Sequence, residues 1–161
     1  MKKALIFTIS SLMMIAFLNS CGGDTQVKEP TVSSGNDYVI DSINKQVKDF
    51  SIDGFKGGSA DLQQNEDLEN MKNIVRMVRP IIEKIPDGYA MQITGHGADY
   101  AVPKGVGIST ARAKLVHDEL KKAGASGSKM TYRGVGFDEP IPGVDGKDPR
   151  QRRVSFKAIK K

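Results

Sequence analysis

The strongest constraint on the fold is a change of apolar period in the middle of the chain. Leu68, Met71, Ile74, Val75, Val78, Ile81, Ile82 and Ile85 recur at helical spacing and form one stripe along a helix. Pro80 falls inside that stripe; its missing N–H and its ring predict a kink or break near Arg79. Pro86-Asp87-Gly88 is a turn signature. Beyond it the period drops to two: Tyr89, Met91 and Ile93 alternate with Ala90, Gln92 and Thr94 up to Gly95, as in a strand.

The same alternation of element types continues on both sides. Val39, Ile43 and Val47 predict a short leading helix, and a first strand is expected over residues 50–59, although Gly54, Gly57 and Gly58 weaken it. After a loop, Ser109 reads as the N-cap of a further helix that turns Ala113, Val116, Leu120 and Ala123 inward and stops at Gly124. Met130 and Tyr132 mark a strand closed by Gly134 and Gly136. A Pro- and Gly-rich loop then leads to a last strand, where Val154, Phe156 and Ala158 alternate with Arg153, Ser155 and Lys157. Met71, Met77, Met91 and Met130 read as core fillers. The order α-β-α-β-α-β-β predicts an α+β fold, a mixed sheet with helices packed on one face.

The N-terminus reads differently. Residues 1–20 have the form of an export signal: Lys2 and Lys3, then an apolar run from Ala4 to Leu18 that is too short for a bilayer span of about 20 residues. The single cysteine, Cys21, follows at once, and Leu18-Asn19-Ser20-Cys21 resembles a lipoprotein box in which the thiol takes a diacylglycerol. Acyl chains on Cys21 would hold the protein on a lipid bilayer, each buried methylene contributing about 0.8 kcal/mol. Residues 21–36 are small and polar and read as a flexible tether; residues 37–161 carry one domain's worth of apolar positions. Losing Lys2 and Lys3 with the signal lowers the formal charge of +5 by two. So mild a charge does not argue for nucleic acid, which needs a concentrated basic face.

Three segments, in order, resemble the OmpA C-terminal family, which includes peptidoglycan-associated lipoproteins and the periplasmic part of flagellar stators. Ile93-Thr94-Gly95-His96 is similar to a strand ending in Gly-His-Thr-Asp. Ser109-Thr110-Ala111-Arg112-Ala113 with Val116 is similar to Leu-Ser-x-x-Arg-Ala-x-x-Val. Gly134-Val135-Gly136, Pro140 and Gln151-Arg152-Arg153-Val154 are similar to Gly-x-Gly, Pro and Asn-Arg-Arg-Val. The resemblance covers residues 91–159 well and residues 50–89 only by pattern. It implies a two-layer sandwich with a four-stranded sheet and a site that holds peptidoglycan without cleaving it. In that site an Asp receives the ammonium of the stem-peptide diamino acid and Arg112 receives its carboxylate, with Arg152 or Arg153 bordering the pocket. The chemistry suits the residues: a zwitterion needs an acceptor-only group and a planar donor fork. Placed in the first helical turn, Arg112 would also lie near free backbone N–H groups. Gly22 after the cysteine is not the Asp of inner-membrane retention, so the resemblance implies an outer-membrane lipoprotein facing the periplasm.

The sequence departs from that pattern at the acceptor. Ala98 stands two residues after His96, where the family has its Asp, and Asp99 comes one residue late. Either the surrounding glycines let the loop bring Asp99 into place or the ammonium contact is lost. If it is lost, a surface-exposed lipoprotein or adhesin of the same fold becomes the alternative. A wall with no second carboxylate on its diamino acid would leave Arg112 unpartnered instead.

Other candidates have plainer explanations. His96 reads as a structural histidine at a strand end and His117 as a surface residue; no metal-ligand spacing is present, and no cofactor is implied. Arg150, Arg152 and Arg153 could be a solvated strand start paired to Asp148 or Glu139. Lys157, Lys160 and Lys161 read as a solvated tail. Ser109 has no His partner or nucleophile elbow, so the expectation is a binding protein with no catalytic residue.

Overall fold

The computed structural model describes residues 35–99 and 105–161. The export signal, Cys21 and most of the expected tether lie outside them. The elements are α1 (Gly35–Val47), β1 (Ser51–Ile52), α2 (Asn65–Glu83), β2 (Tyr89–Gly95), α3 (Val106–Lys122), β3 (Met130–Gly134) and β4 (Val154–Lys160), the expected order. α1 begins at Gly35, inside the segment read as tether, with Asp37 in its first turn facing the positive end of the helix dipole.

The sheet order is β1-β4-β2-β3. β2 pairs antiparallel with β4 along its whole length, from Tyr89↔Lys160 to Gly95↔Val154. Its other edge pairs parallel with β3, and α3 makes the crossover that a parallel pair requires. Alternation sends Met91, Ile93, Val154, Phe156 and Ala158 into the core, where they meet Ile74, Val78, Ile82, Val116 and Leu120 of the helices. Each such large aliphatic side chain contributes about 1.5–3 kcal/mol when fully buried. β1 reaches only Val154 and Ser155. Further along β4, the Asn44 amide of α1 takes over, accepting from Ala158 N–H at 2.7 Å and donating to Ala158 C=O at 3.1 Å.

Several details differ from the sequence expectation. The first strand is two residues long, because Gly54 turns the chain out of the sheet at φ +79°, leaving an isolated Phe55↔Leu62 bridge beyond it. α2 continues through Pro80 to Glu83. Pro80 sits in the last turn on the exposed side, so the Arg76 carbonyl deprived of its donor faces water at little cost. Off the buried stripe, Met77 is 46% exposed, and Leu68 at the stripe's start is 38% exposed. Ile40, rather than Val39, faces the core from α1. α3 ends at Lys122, and left-handed Gly124 reverses the chain so that Ala125 is buried while Ala123 is exposed.

The start of α3 is the largest difference. The helix begins four residues earlier than expected, after Gly105 in the left-handed conformation, and Ser109 is fully buried within it. Its hydroxyl donates to the Val106 carbonyl at 3.0 Å and accepts from the Gly136 N–H at 2.9 Å, so it joins the helix to the loop after β3. Arg112 therefore lies in the second turn, away from the free N–H groups of the helix start.

Gly95 and Gly134 make this junction possible. They are paired in register on β2 and β3, directly beneath α3. A Cβ on Gly95 would overlap the Ser109 carbonyl, and one on Gly134 would overlap Thr110 N and the Ser109 hydroxyl. Gly95→Ala should cost about 1–3 kcal/mol, the range for overpacking a filled interior. Gly127→Ala, where the added methyl meets nothing within 4 Å, should stay within about 0.5 kcal/mol of wild type. Urea denaturation midpoints of the two variants check this; equal midpoints would show that α3 has room to retreat.

Candidate functional site

β2 ends where α3 crosses it, and the chain leaves the sheet through His96 and Gly97. His96 N–H donates to the Arg153 carbonyl at 2.8 Å, extending the ladder with β4 by one rung. On the other side Val135 N–H donates to the Gly95 carbonyl and Gly97 N–H to the Gly136 carbonyl. These bonds fix the His96 carbonyl at the mouth of the sheet.

Arg112 reaches that carbonyl from α3. Its Nη1 donates to His96 O at 3.0 Å, Nε to Ser59 O at 2.9 Å and Nη2 to Lys56 O at 2.9 Å. The guanidinium lies 5.4 Å from the centroid of the wholly buried Phe55 ring, a cation–π distance. Arg112 is only 2% exposed. Arg152, 8% exposed, donates Nε to Phe55 O at 2.8 Å. Burial, with Arg152 close by, pushes the Arg112 pKa down to about 10, so the group is still a cation at neutral pH. Among the described residues neither arginine has a carboxylate within salt-bridge distance. Two adjacent buried cations without a counter-charge are costly; among the described residues, main-chain carbonyl dipoles and the Phe55 ring face offset part of that cost.

The neighbouring Arg153, between the Pro149–Gln151 turn and β4, goes elsewhere. It donates Nη2 to Glu139 O at 3.1 Å and Nη1 to Gln151 Oε1 at 3.5 Å, and it lies beside His96 rather than Arg112. The structure thus brings Arg112 and Arg152 together and leaves Arg153 apart. Asp99 is exposed; its N–H donates to Gly146 O at 2.8 Å and its side chain lies against Gly146. It shares no hydrogen bond or ion pair with Arg112 among the described residues. The two are connected through residues 96–99, whose first carbonyl accepts from Arg112.

Three contributors were not anticipated from sequence. The carbonyls of Phe55, Lys56 and Ser59 carry no side-chain signature. Ser109 was taken for a cap. Gln151, in the slot of an Asn in the related pattern, is buried and organises the long loop: Oε1 accepts from Ile141 N–H, and Nε2 donates to the Val144 and Asp145 carbonyls. Arg150 pairs with Asp148 at 2.7 Å, as its plainer reading had it. His117 is half-buried against Tyr132, ring centroids 5.1 Å apart, and is less of a surface residue than expected. Among the described residues no group of three or more His, Cys, Asp or Glu could hold a metal ion, and no helix is long and apolar enough to cross a membrane.

No protein-family model and no curated protein matches the sequence. Solved structures do match the fold. The OmpA-like domain of FopA1 from Francisella tularensis superposes with a TM-score of 0.54 at 18% identity, covering 68% of this chain and 69% of that one. The fold is that of OmpA-like domains. The periplasmic domain of Helicobacter pylori MotB has it too, with a TM-score of 0.54 at 17% identity over 69% of this chain and 81% of its own. So does the peptidoglycan-associated lipoprotein from Burkholderia pseudomallei, at 0.53 and 16% identity over 68% and 89%. In this fold the arginine pair lies at the end of the central strand β2, beneath the loop that follows β1.

His96 gives the site a pH limit. Its Nε2 meets Ser155 Oγ at 2.8 Å, and its buried Nδ1 has no hydrogen-bond partner among the described residues. Burial, then the Arg153 charge, lowers its pKa from 6.5 to about 4, against a smaller opposing effect of Glu139. The folded state therefore prefers the neutral ring. Its contribution is fully present above pH 6.5 and is lost as the pH falls toward 4, because the unfolded chain takes up the proton first. That loss is on the order of 3 kcal/mol. Denaturant midpoints measured between pH 7 and pH 4 should fall accordingly, and His96→Asn should flatten that part of the profile.

Proposed function

We propose that this protein is a non-catalytic wall tether: an outer-membrane lipoprotein, acylated at Cys21 and facing the periplasm, whose OmpA-like domain holds peptidoglycan through the stem peptide. The observation that carries the reading is the pair of buried guanidiniums, Arg112 and Arg152, with no carboxylate partner among the described residues. A site that holds uncompensated cations favours an anion, and planar guanidinium suits the carboxylate of a diamino acid. Exposed Asp99, three residues beyond the carbonyl that Arg112 grips, is the candidate acceptor for the ammonium. Arg153 acts through His96 and Glu139 rather than on the ligand. The likeness to a peptidoglycan-associated lipoprotein supports the same reading, and the Cys21 box supplies the membrane end.

Binding without turnover is supported by the one Ser–His pair at the site. His96 is too buried and too weak a base, at a pKa of about 4, to activate Ser155, and among the described residues no hydrogen bond orients its Nδ1. The exposed, Gly146-bound position of Asp99 favours one alternative, a surface lipoprotein or adhesin that has lost wall binding. Protease cleavage on intact cells without lysis would support that alternative.

The test is a pull-down on purified peptidoglycan with the chain from Cys21 onward carrying Cys21→Ser. Retention is expected. Asp99→Asn, exposed and therefore harmless to the fold, should weaken it about tenfold, the worth of one charge-assisted hydrogen bond. Arg112→Lys, checked for folding, should reduce it further by losing the planar fork. No retention of the unmutated domain would end the proposal.

A further inference from the structure

Residues 55–62 form a small hairpin whose tip is bonded mainly to itself and to one arginine. Within it, Phe55 bridges Leu62, Lys56 N–H donates to Asp61 O at 2.8 Å, and Asp61 N–H donates to Ser59 Oγ at 2.9 Å. Its root is fixed: Phe55 is buried, and its carbonyl accepts from Arg152 and from Gln63 Nε2. Its tip holds Lys56, Gly57 and Gly58, all exposed, with Gly58 at φ +72°. Among the described residues, the hydrogen bonds that tie that tip to the rest of the domain run from Arg112 to the Ser59 and Lys56 carbonyls.

The two donors involved are telling. Nε and Nη2 form one edge of the guanidinium, the edge that a carboxylate grips with both oxygens at once. Ser59 O and Lys56 O sit on that edge at 2.9 Å each, so the hairpin offers two carbonyl oxygens where a carboxylate would place its own pair. Nη1 stays on His96 O and keeps the guanidinium in position when that edge is freed.

We propose that the 55–62 hairpin is a self-supplied stand-in for a ligand carboxylate, and that a carboxylate binds Arg112 by displacing the hairpin tip. The proposal rests on the wall-binding reading for its natural ligand, but its mechanism needs only a carboxylate. A carboxylate forms hydrogen bonds about twice as strong as those of a neutral carbonyl, so the exchange runs toward the ligand. The two glycines of the tip allow it to swing while Phe55 and Arg152 hold the root. Arg152 adds a second positive charge beside the exchange and draws the anion in. Ala60 to Gln64 also wall a groove of about 440 Å³ against Leu115 and Glu119 of α3, so displacement of the tip would reshape that groove.

Paired spin labels test this in the chain from Cys21 onward carrying Cys21→Ser. One label goes on Gly57→Cys at the tip and the other on Gly127→Cys, both at positions where a side chain meets nothing within 4 Å. The label–label distance distribution is measured with sodium acetate against sodium chloride at equal ionic strength, and with a stem peptide bearing either a free or an amidated diamino-acid carboxylate. Acetate and the free-carboxylate peptide should each produce a displaced second population, and the amidated peptide should not. An unchanged distribution with a free-carboxylate peptide shown to be bound overturns the proposal. If no stem peptide binds, displacement by acetate upholds the hairpin exchange while removing the wall reading; no displacement by acetate overturns the exchange as well.

Discussion

The geometry of this domain depends on how closely α3 lies on the sheet. Two glycines, facing each other on β2 and β3, leave the sheet without side chains at the point where the helix crosses. With α3 at backbone distance, the Ser109 hydroxyl reaches Gly136 and the Arg112 guanidinium reaches the end of β2. A helix held further off by even one methyl layer would carry Arg112 past the His96 carbonyl. The close crossing therefore serves packing and places the charged group at once.

Charge, rather than shape, distinguishes the end of β2. Arg112 and Arg152 are buried side by side, and main-chain carbonyls from two loops are their partners among the described residues. The arrangement is held in place by the Phe55 ring under the Arg112 guanidinium and by two elements that gain nothing from the charge itself: the Gln151 amide that organises the long loop and the last rung of the β2–β4 ladder. Energy from the hydrophobic core is in effect invested in keeping two cations dry. A charge held out of water acts more strongly on an approaching anion than the same charge in bulk solvent.

Periodicity carried most of the fold. The α2 stripe, the alternation of β2 and β4 and the stop at Gly124 all follow from side-chain patterns that burial enforces, so they were legible. What failed were judgements in which a residue type has two uses. Ser109 suits a helix cap, but it also suits a buried tie, and only the tertiary position of Gly136 decides between them. Pro80 breaks helices, except in a last turn whose carbonyl faces water. Arg152 and Arg153 are adjacent in sequence and look equivalent, yet the turn that leads into β4 sends them to different neighbours. The hairpin after β1 was illegible for a different reason: it acts through carbonyl oxygens, which every residue possesses.

Asn44 finishes a strand that the chain does not supply. β1 runs out after two residues, and beyond it the outer N–H and C=O of Ala158 would stand open on the margin of the sheet. The Asn44 amide, one donor and one acceptor on a helix, answers both. A stranger's backbone looking for that margin finds it already taken, so copies of this domain packed side by side have one route fewer to fuse into a continuous sheet.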